Sequence, residues 1–257
     1  GDGQRLADLT GITVVYDFRS DDLMNGGEGA PLAPVHHEHL AQKARQDGHF
    51  PLAFLNAGNT GNISVISRDT TTGDYRVLGW DTGPFNNYPD KLIQQELKED
   101  CDRDGKHGSK GSINKKLLKL LFDRAVIDSN GKNFLLIPPP KSSDPQWYKI
   151  LPELSGEKEL EGAIIPFHDR LRTAEYFSAY IYCLNLKYLD PSVQFPLHFA
   201  LCGGGWKNPL IKEDFQSLLG DNLDDLIILD EHLSVFQDIR QRLAGKSPHI
   251  DWSDQFG

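Results

Sequence analysis

Alternating apolar and polar positions are clearest between residues 51 and 80. Residues 51–56 (PLAFLN) and 63–67 form two apolar runs separated by the turn sequence AGNTGN, and TTTGD at 70–74 leads into a third run at 75–80. Three such runs at this spacing predict an antiparallel meander. Asp81 closes the third run, and Thr82, Gly83 and Pro84 are expected to turn the chain into a helix within 84–100. Helical periodicity predicts further helices at 1–12, ending near Gly11, and at 34–45, 113–124, 173–189, 209–219 and 231–243. Strands are expected at 13–18, 195–202 and 227–229, a polar glycine-rich loop at 19–29, a rigid loop at 138–147 (PPPKSSDPQW) and an exposed charged stretch at 155–162. No periodicity is visible over 246–257.

The order strand, strand, strand, helix is how a ribonuclease-H-like lobe opens, by analogy with several folds that begin this way. Such an α/β lobe sets a mixed sheet between helices. It gives Asp81 a particular meaning, because a carboxylate at a strand's carboxyl end and a helix mouth lies where α/β proteins bind ligands. There it can hold magnesium, take a proton from an attacking oxygen, or simply cap the helix. A second junction, FPLHFALC followed by Gly203, Gly204, Gly205 and a helix, lets a ligand approach bare backbone near a helix amino terminus. It matches neither GxGxxG nor a Walker A loop, so a plain tight turn remains open.

Composition narrows the partners. Across 257 residues the formal charge is -10, with 39% hydrophobic and 25% charged positions, as expected of a soluble protein with an ample core. That balance argues against duplex nucleic acid or an anionic membrane as partner. Three scattered cysteines, Cys101, Cys183 and Cys202, suggest a reducing, cytoplasmic setting. The chain opens at Gly1 without an initiating methionine, as a fragment or processed piece would. Two weaker signals are discounted. DCDRDG at 100–105 has the first half of a calcium loop, but Gly111 stands where the closing glutamate belongs. His36, His37 and His39 do not share one helix face, so no metal site is expected of them.

The segments TGITVVYDFRSDD, NGGEGAPLAP, LNAGNTGNISV, GWDTGPFN, DRDG, PPPKS and LCGGGWKNPLI occur in an order that resembles the anhydro-N-acetylmuramic acid kinase family and, more distantly, levoglucosan kinase. The resemblance covers residues 1 to about 211, with a weaker match at 231–245. It implies an actin/hexokinase-like ATPase fold of two lobes. It also implies that ATP and magnesium serve a reaction that opens a 1,6-anhydro bridge with water and phosphorylates the sugar O6, in peptidoglycan recycling. By that resemblance Asp81 activates the water, and Asp81 with Glu231 holds magnesium. Asp17, Arg19, Glu28 and Lys141 face the sugar. Gly58, Asn59, Asn62, Gly83, Asn86, Gly203, Gly204, Gly205 and Asn208 face the nucleotide and its phosphates. A homodimer, or a separate amino-terminal lobe, is the expected partner.

This chain departs from the family in places. The first lobe's phosphate hairpin is absent, Phe85 replaces the second glycine of DTGPGN, Glu28 replaces a glutamine, and Ser142, Ser143, Asp144, Pro145 and Gln146 replace S-T-G-R-E. The ring of Phe85 is expected to obstruct phosphate, and together with Glu28, the altered PPPKSS loop and the missing hairpin it motivates an alternative reading as a non-catalytic binding or scaffold protein. The expected organisation is a connecting segment at 1–50, the second lobe at 51–220, and a carboxyl-terminal helix and tail at 221–257 as a remnant of the return to the first lobe.

Overall fold

The computed structural model describes residues 1–156, 160, 162, 164–220, 226–243, 246 and 248–252. Its centre is a mixed sheet of five strands, β1 (Leu52–Ala57), β2 (Thr60–Arg68), β3 (Tyr75–Pro84), β4 (His198–Cys202) and β5 (His249–Trp252), in the order β3-β2-β1-β4-β5. β1, β2 and β3 pair antiparallel as the meander, while β4 lies parallel to β1 and β5 parallel to β4. This strand order, with the meander antiparallel and β4 and β5 parallel to β1, is the ribonuclease-H-like arrangement.

The helices are α1 (Gly3–Thr10), α2 (Phe18–Met24), α3 (Ala33–Gln46), α4 (Asn87–Leu97), α5 (Lys115–Arg124), the single turn α6 (Pro152–Ser155), α7 (Phe167–Asn185), α8 (Pro209–Leu219) and α9 (Leu233–Leu243). Period-two alternation divides the strands between two faces. Ala53, Leu55, Ala57, Ile63, Val65, Phe199 and Leu201 join the main core with α4, α5, α7, α8 and α9, whereas Leu52, Phe54, Ile66 and Ala200 meet Ala41 and Ala44 of α3 in a smaller core. Both faces of β1 are therefore covered, which explains its continuous apolar run. Most of α7 is buried, so its aromatic residues are packing, as in Phe177, Tyr180 and Tyr182.

Local chemistry sets the helix limits. Asp2 accepts from the Arg5 amide and Gly11 closes α1 in the left-handed region; Asn114 accepts from Leu117 at α5, and Asn208 from Leu210 at α8, where Pro209 takes the first position.

Several expectations are corrected. Residues 13–18 form no strand, because no neighbouring strand lies beside them, and α2 occupies part of the expected 19–29 loop. Val15, Tyr16 and Phe18 are left exposed. β3 does not turn at Thr82 but continues through Pro84 against β2. Residues 227–229 are not a strand, whereas β5 arises in the tail that shows no periodicity, through parallel pairing with β4. Phe236, Ile239 and Leu243 of α9 join the main core, so the carboxyl-terminal segment contributes both to this core and to the sheet. Much of the 155–162 stretch lies outside the described residues.

Candidate functional site

The carboxyl ends of β1, β3 and β4 and the start of β2 share one end of the sheet. Asp81 approaches that end beside a bulge. Asn62 pairs with Asp81 but Gly61 pairs with Gly83, which leaves Thr82 as an extra residue in β3. A bulge twists the strand and re-aims its side chains. Because β3 is an edge strand, its outer side is covered by a loop, and the Asp81 amide donates to the Lys141 carbonyl at 3.1 Å.

Three donors from that loop converge on Asp81 Oδ2: the Ser143 amide at 2.8 Å, Ser143 Oγ at 3.1 Å and Ser142 Oγ at 3.4 Å. Ser143 Oγ lies 2.6 Å from the Tyr148 hydroxyl, which lies 2.9 Å from Thr60 Oγ1. This chain anchors the carboxylate to β2. Asp81 is 6% exposed. Burial raises its pKa, while the hydrogen bonds from Ser143 and Ser142 and the charge of Arg19 oppose the rise. A carboxyl raised this way is a stronger base than an exposed aspartate, and the serine donors fix its direction.

The phosphate-side candidates gather beside it. The Phe85 and Asn86 amides donate to the Asn59 and Gly58 carbonyls at 3.0 and 3.1 Å, and Asn87 Nδ2 donates to Asn59 Oδ1 at 3.0 Å. Gly203, at φ +90°, lies so close to β1 that a Cβ would stand 2.7 Å from the Ala57 carbonyl oxygen. Glycine is therefore required for the triple-glycine bend to reach the meander's end. Asn62 sits directly opposite Asp81, with its Oδ1 buried and without a partner.

On the far side of the bend a cavity of about 340 Å³ is lined by Asn86, Asp90, Asp102, Gly204, Gly205 and Asn208, among others. Four of the predicted nucleotide residues thus share one wall. Sequence reasoning missed the opposite wall, having weighed DCDRDG as an incomplete calcium loop. Instead the Asp102 carboxylate is buried and accepts from the His107 and Gly108 amides at 2.9 and 2.8 Å. Beneath it Glu175 is fully buried and accepts from Asn208 Nδ2 at 2.8 Å. Burial pushes the Glu175 carboxyl well up, and the neighbouring Asp102 carboxyl adds to the rise, so Glu175 holds its proton. Burial also raises Asp90 to about 6. A lone glutamate inside the apolar stretch Ala174 to Tyr176 was the available signal.

Other candidates are placed differently. Arg19 lies near enough to Asp81 for its charge to act there; Asp17 caps α2 from the left-handed region and accepts from Ser20, and Glu28 is exposed. Lys141 is buried, its Nζ lies 4.7 Å from the Phe134 ring centre and 5.0 Å from that of Tyr188, and it has no hydrogen-bond partner among the described residues. Burial lowers its pKa to about 7, with Lys187 adding to the effect. Gly83 faces the core, where a Cβ would meet Leu135 and Ile181. Glu231 is not brought to Asp81. It pairs with Lys119 at 2.9 Å, on the side of α7 where Tyr180 meets His232, while Tyr182 on the opposite side meets Asn56 and Asn62. The two carboxylates therefore do not assemble a magnesium site.

Phe85 corrects the expectation of obstruction. Its ring is fully buried, 5.2 Å from Tyr182 and 5.0 Å from Trp206 between centres, and so points into the core. The ring therefore does not line the cavity beside Asn86, Gly204 and Gly205.

A family model described as anhydro-N-acetylmuramic acid kinase matches residues 1–227. Relatives of that name include those of Methylorubrum populi, 33% identical over 85% of this chain and 51% of the relative; Vibrio cholerae, 33% over 85% and 53%; and Caulobacter vibrioides, 35% over 82% and 50%. The chain thus spans about half the length of the curated relatives it matches. A ligand-bound xylulose kinase from Lactobacillus acidophilus aligns with 77% of this chain and 48% of its own, at 13% identity and a TM-score of 0.36.

Proposed function

Because this chain belongs to the anhydro-N-acetylmuramic acid kinase family, we propose that it supplies the catalytic-base lobe of an ATP-dependent anhydro-sugar kinase. The observation that carries the reading is Asp81, buried at the sheet end with three donors on one oxygen, beside the turns at 58–59 and 203–205. Its substrate is anhydro-N-acetylmuramic acid. Asp81 takes a proton from water as that water bonds to the anomeric carbon, the bond from that carbon to O6 breaks, and O6 takes the γ-phosphoryl group of ATP, leaving ADP. The work of the lobe is positioning and general-base catalysis.

The cavity behind Gly204 and Gly205 suits the nucleoside end of ATP, since carboxylates at Asp90 and Asp102 accept from ribose hydroxyls and repel phosphate. The phosphates then lie toward the turn at 58–59 and the backbone at 84–86. Arg19, whose charge reaches Asp81, would pair with the sugar's carboxylate. Asp81 would hold magnesium here, whereas Glu231, held by Lys119, does not fit as its second ligand. The non-catalytic alternative rested on Phe85, Glu28, the altered loop after Lys141 and the missing phosphate hairpin, and the inward ring of Phe85 removes the first of these grounds.

The test is product formation. The chain is mixed with ATP, magnesium and anhydro-N-acetylmuramic acid, alone and with the half of a curated relative that it does not span. The reading expects a phosphorylated sugar carrying one oxygen from labelled water at the anomeric carbon. No product from the paired halves, under conditions where the intact relative turns over, overturns it.

A further inference from the structure

At the opposite end of the sheet three histidines meet from three separate segments. His198 begins β4, His249 begins β5 as its register partner, and His49 precedes the start of β1 at Leu52, which pairs with His198. Their candidate ligand nitrogens all lie within 4.8 Å of one another, and the ring centres are 5.1 Å apart for His49 and His198 and 5.6 Å for each pair with His249. His198 is half-buried, and its Nδ1 is shut off from solvent with no hydrogen-bond partner among the described residues. An enclosed ring nitrogen without a partner is unfavourable, and a cation seated among the three rings would satisfy it.

We propose that His49, His198 and His249 bind one divalent cation of the zinc class, with water as fourth ligand. Three neutral imidazoles with no carboxylate suit zinc, cobalt or nickel, whereas magnesium and calcium take oxygen ligands. Tetrahedral coordination with bonds of about 2.0–2.1 Å needs nitrogens roughly 3.4 Å apart. The exposed rings of His49 and His249 reach this by rotating towards His198.

The four residue rises along β4 separate this cluster from the catalytic end by roughly 13 Å, so the cation takes no part in phosphoryl transfer. It acts as a clasp. It ties the edge strand β5, and the turn that feeds β1, to β4 where the parallel ladder starts. The four-residue β5 has few ladder bonds of its own, and a ligand on its first residue fixes its register.

Calorimetric titration of the chelator-stripped chain with zinc chloride tests the proposal, with cobalt chloride as a spectroscopic probe. The expected result is one zinc per chain, undisturbed by excess magnesium, and the visible band of tetrahedral cobalt. A His49→Gln/His249→Gln double variant changes only exposed side chains, so it retains the fold. It should weaken zinc at least ~100-fold, beyond the ~10–100-fold of a lost supporting contact. His198→Asn should abolish the cobalt band. Absence of saturable zinc binding, or equal binding by the folded double variant, overturns the site.

Discussion

Replacing Ser143 by alanine isolates the arrangement that makes Asp81 a base. The Ser143 amide stays on Oδ2 at 2.8 Å, while the hydroxyl donor at 3.1 Å and its link to Tyr148 are lost. A hydrogen bond to a charged group contributes about 1.5–3 kcal/mol, and the longer of two donors belongs at the lower end. With 1.4 kcal/mol equal to a tenfold change in equilibrium, the carboxyl should ionise roughly tenfold less readily in Ser143→Ala. The sign follows from burial, which already raises the Asp81 pKa. Such a group contributes stability that is fully present below its unfolded value and is lost as pH rises through the folded value. Losing the hydroxyl deepens that loss, so the variant's deficit should be about 1.5 kcal/mol larger at pH 7 than at pH 3, where only the lost link to Tyr148 remains. Carbon-13 titration of the Asp81 carboxyl, assigned by comparison with Asp81→Asn, reads the ionisation, and urea denaturation at the two pH values reads the stability. A carboxyl titrating at the same or a lower pH in the variant would refute the reasoning.

Further outcomes follow from neighbouring groups. Glu175→Gln imitates the protonated acid held beneath Asp102; since the Glu175 pKa is raised, the natural chain should lose stability as pH rises above the ordinary carboxyl range, and melting curves at pH 5, 7 and 9 should be flatter for the variant. Lys141→Met removes an amine whose pKa is lowered to about 7. Stability from such a group is present above the unfolded value near 10.5 and lost as pH falls towards about 7, so the variant should melt higher than the natural chain at pH 6 and alike above pH 10. Phe85→Ala should lower stability by about 3–5 kcal/mol in denaturant titration, as a fully buried ring between Tyr182 and Trp206 is lost. It should not improve nucleotide binding, because the ring does not stand in the site.

What the sequence revealed follows how local each signal was. The runs at 51–56, 63–67 and 75–80 carry their own alternation and turn residues, and they appear as β1, β2 and β3. α8 follows from Pro209 with Asn208 as its cap, both readable in place. β5 was illegible because four residues bear no period, and the strand exists only through pairing with β4. Residues 13–18 have strand composition but no partner strand, so composition misled. At the site, Asp81 and the triple-glycine bend stood out individually. The chain from Thr60 through Tyr148 and Ser143 to Asp81 joins residues far apart in sequence, and neither periodicity nor spacing links them. Phe85 misled in the opposite way, since a bulky residue beside a ligand turn says nothing about which way its ring points. The histidine cluster went unseen because it joins two strand starts and the turn before β1, which lie far apart in sequence.

The most direct measurement is the turnover of Asp81→Asn in the paired halves, with ATP affinity measured alongside. A general base contributes about 10²–10⁴-fold, so turnover should fall by at least ~100-fold, while ATP affinity measured without magnesium stays within about threefold. Turnover within a few-fold of the natural chain would contradict the assignment of Asp81 as the base.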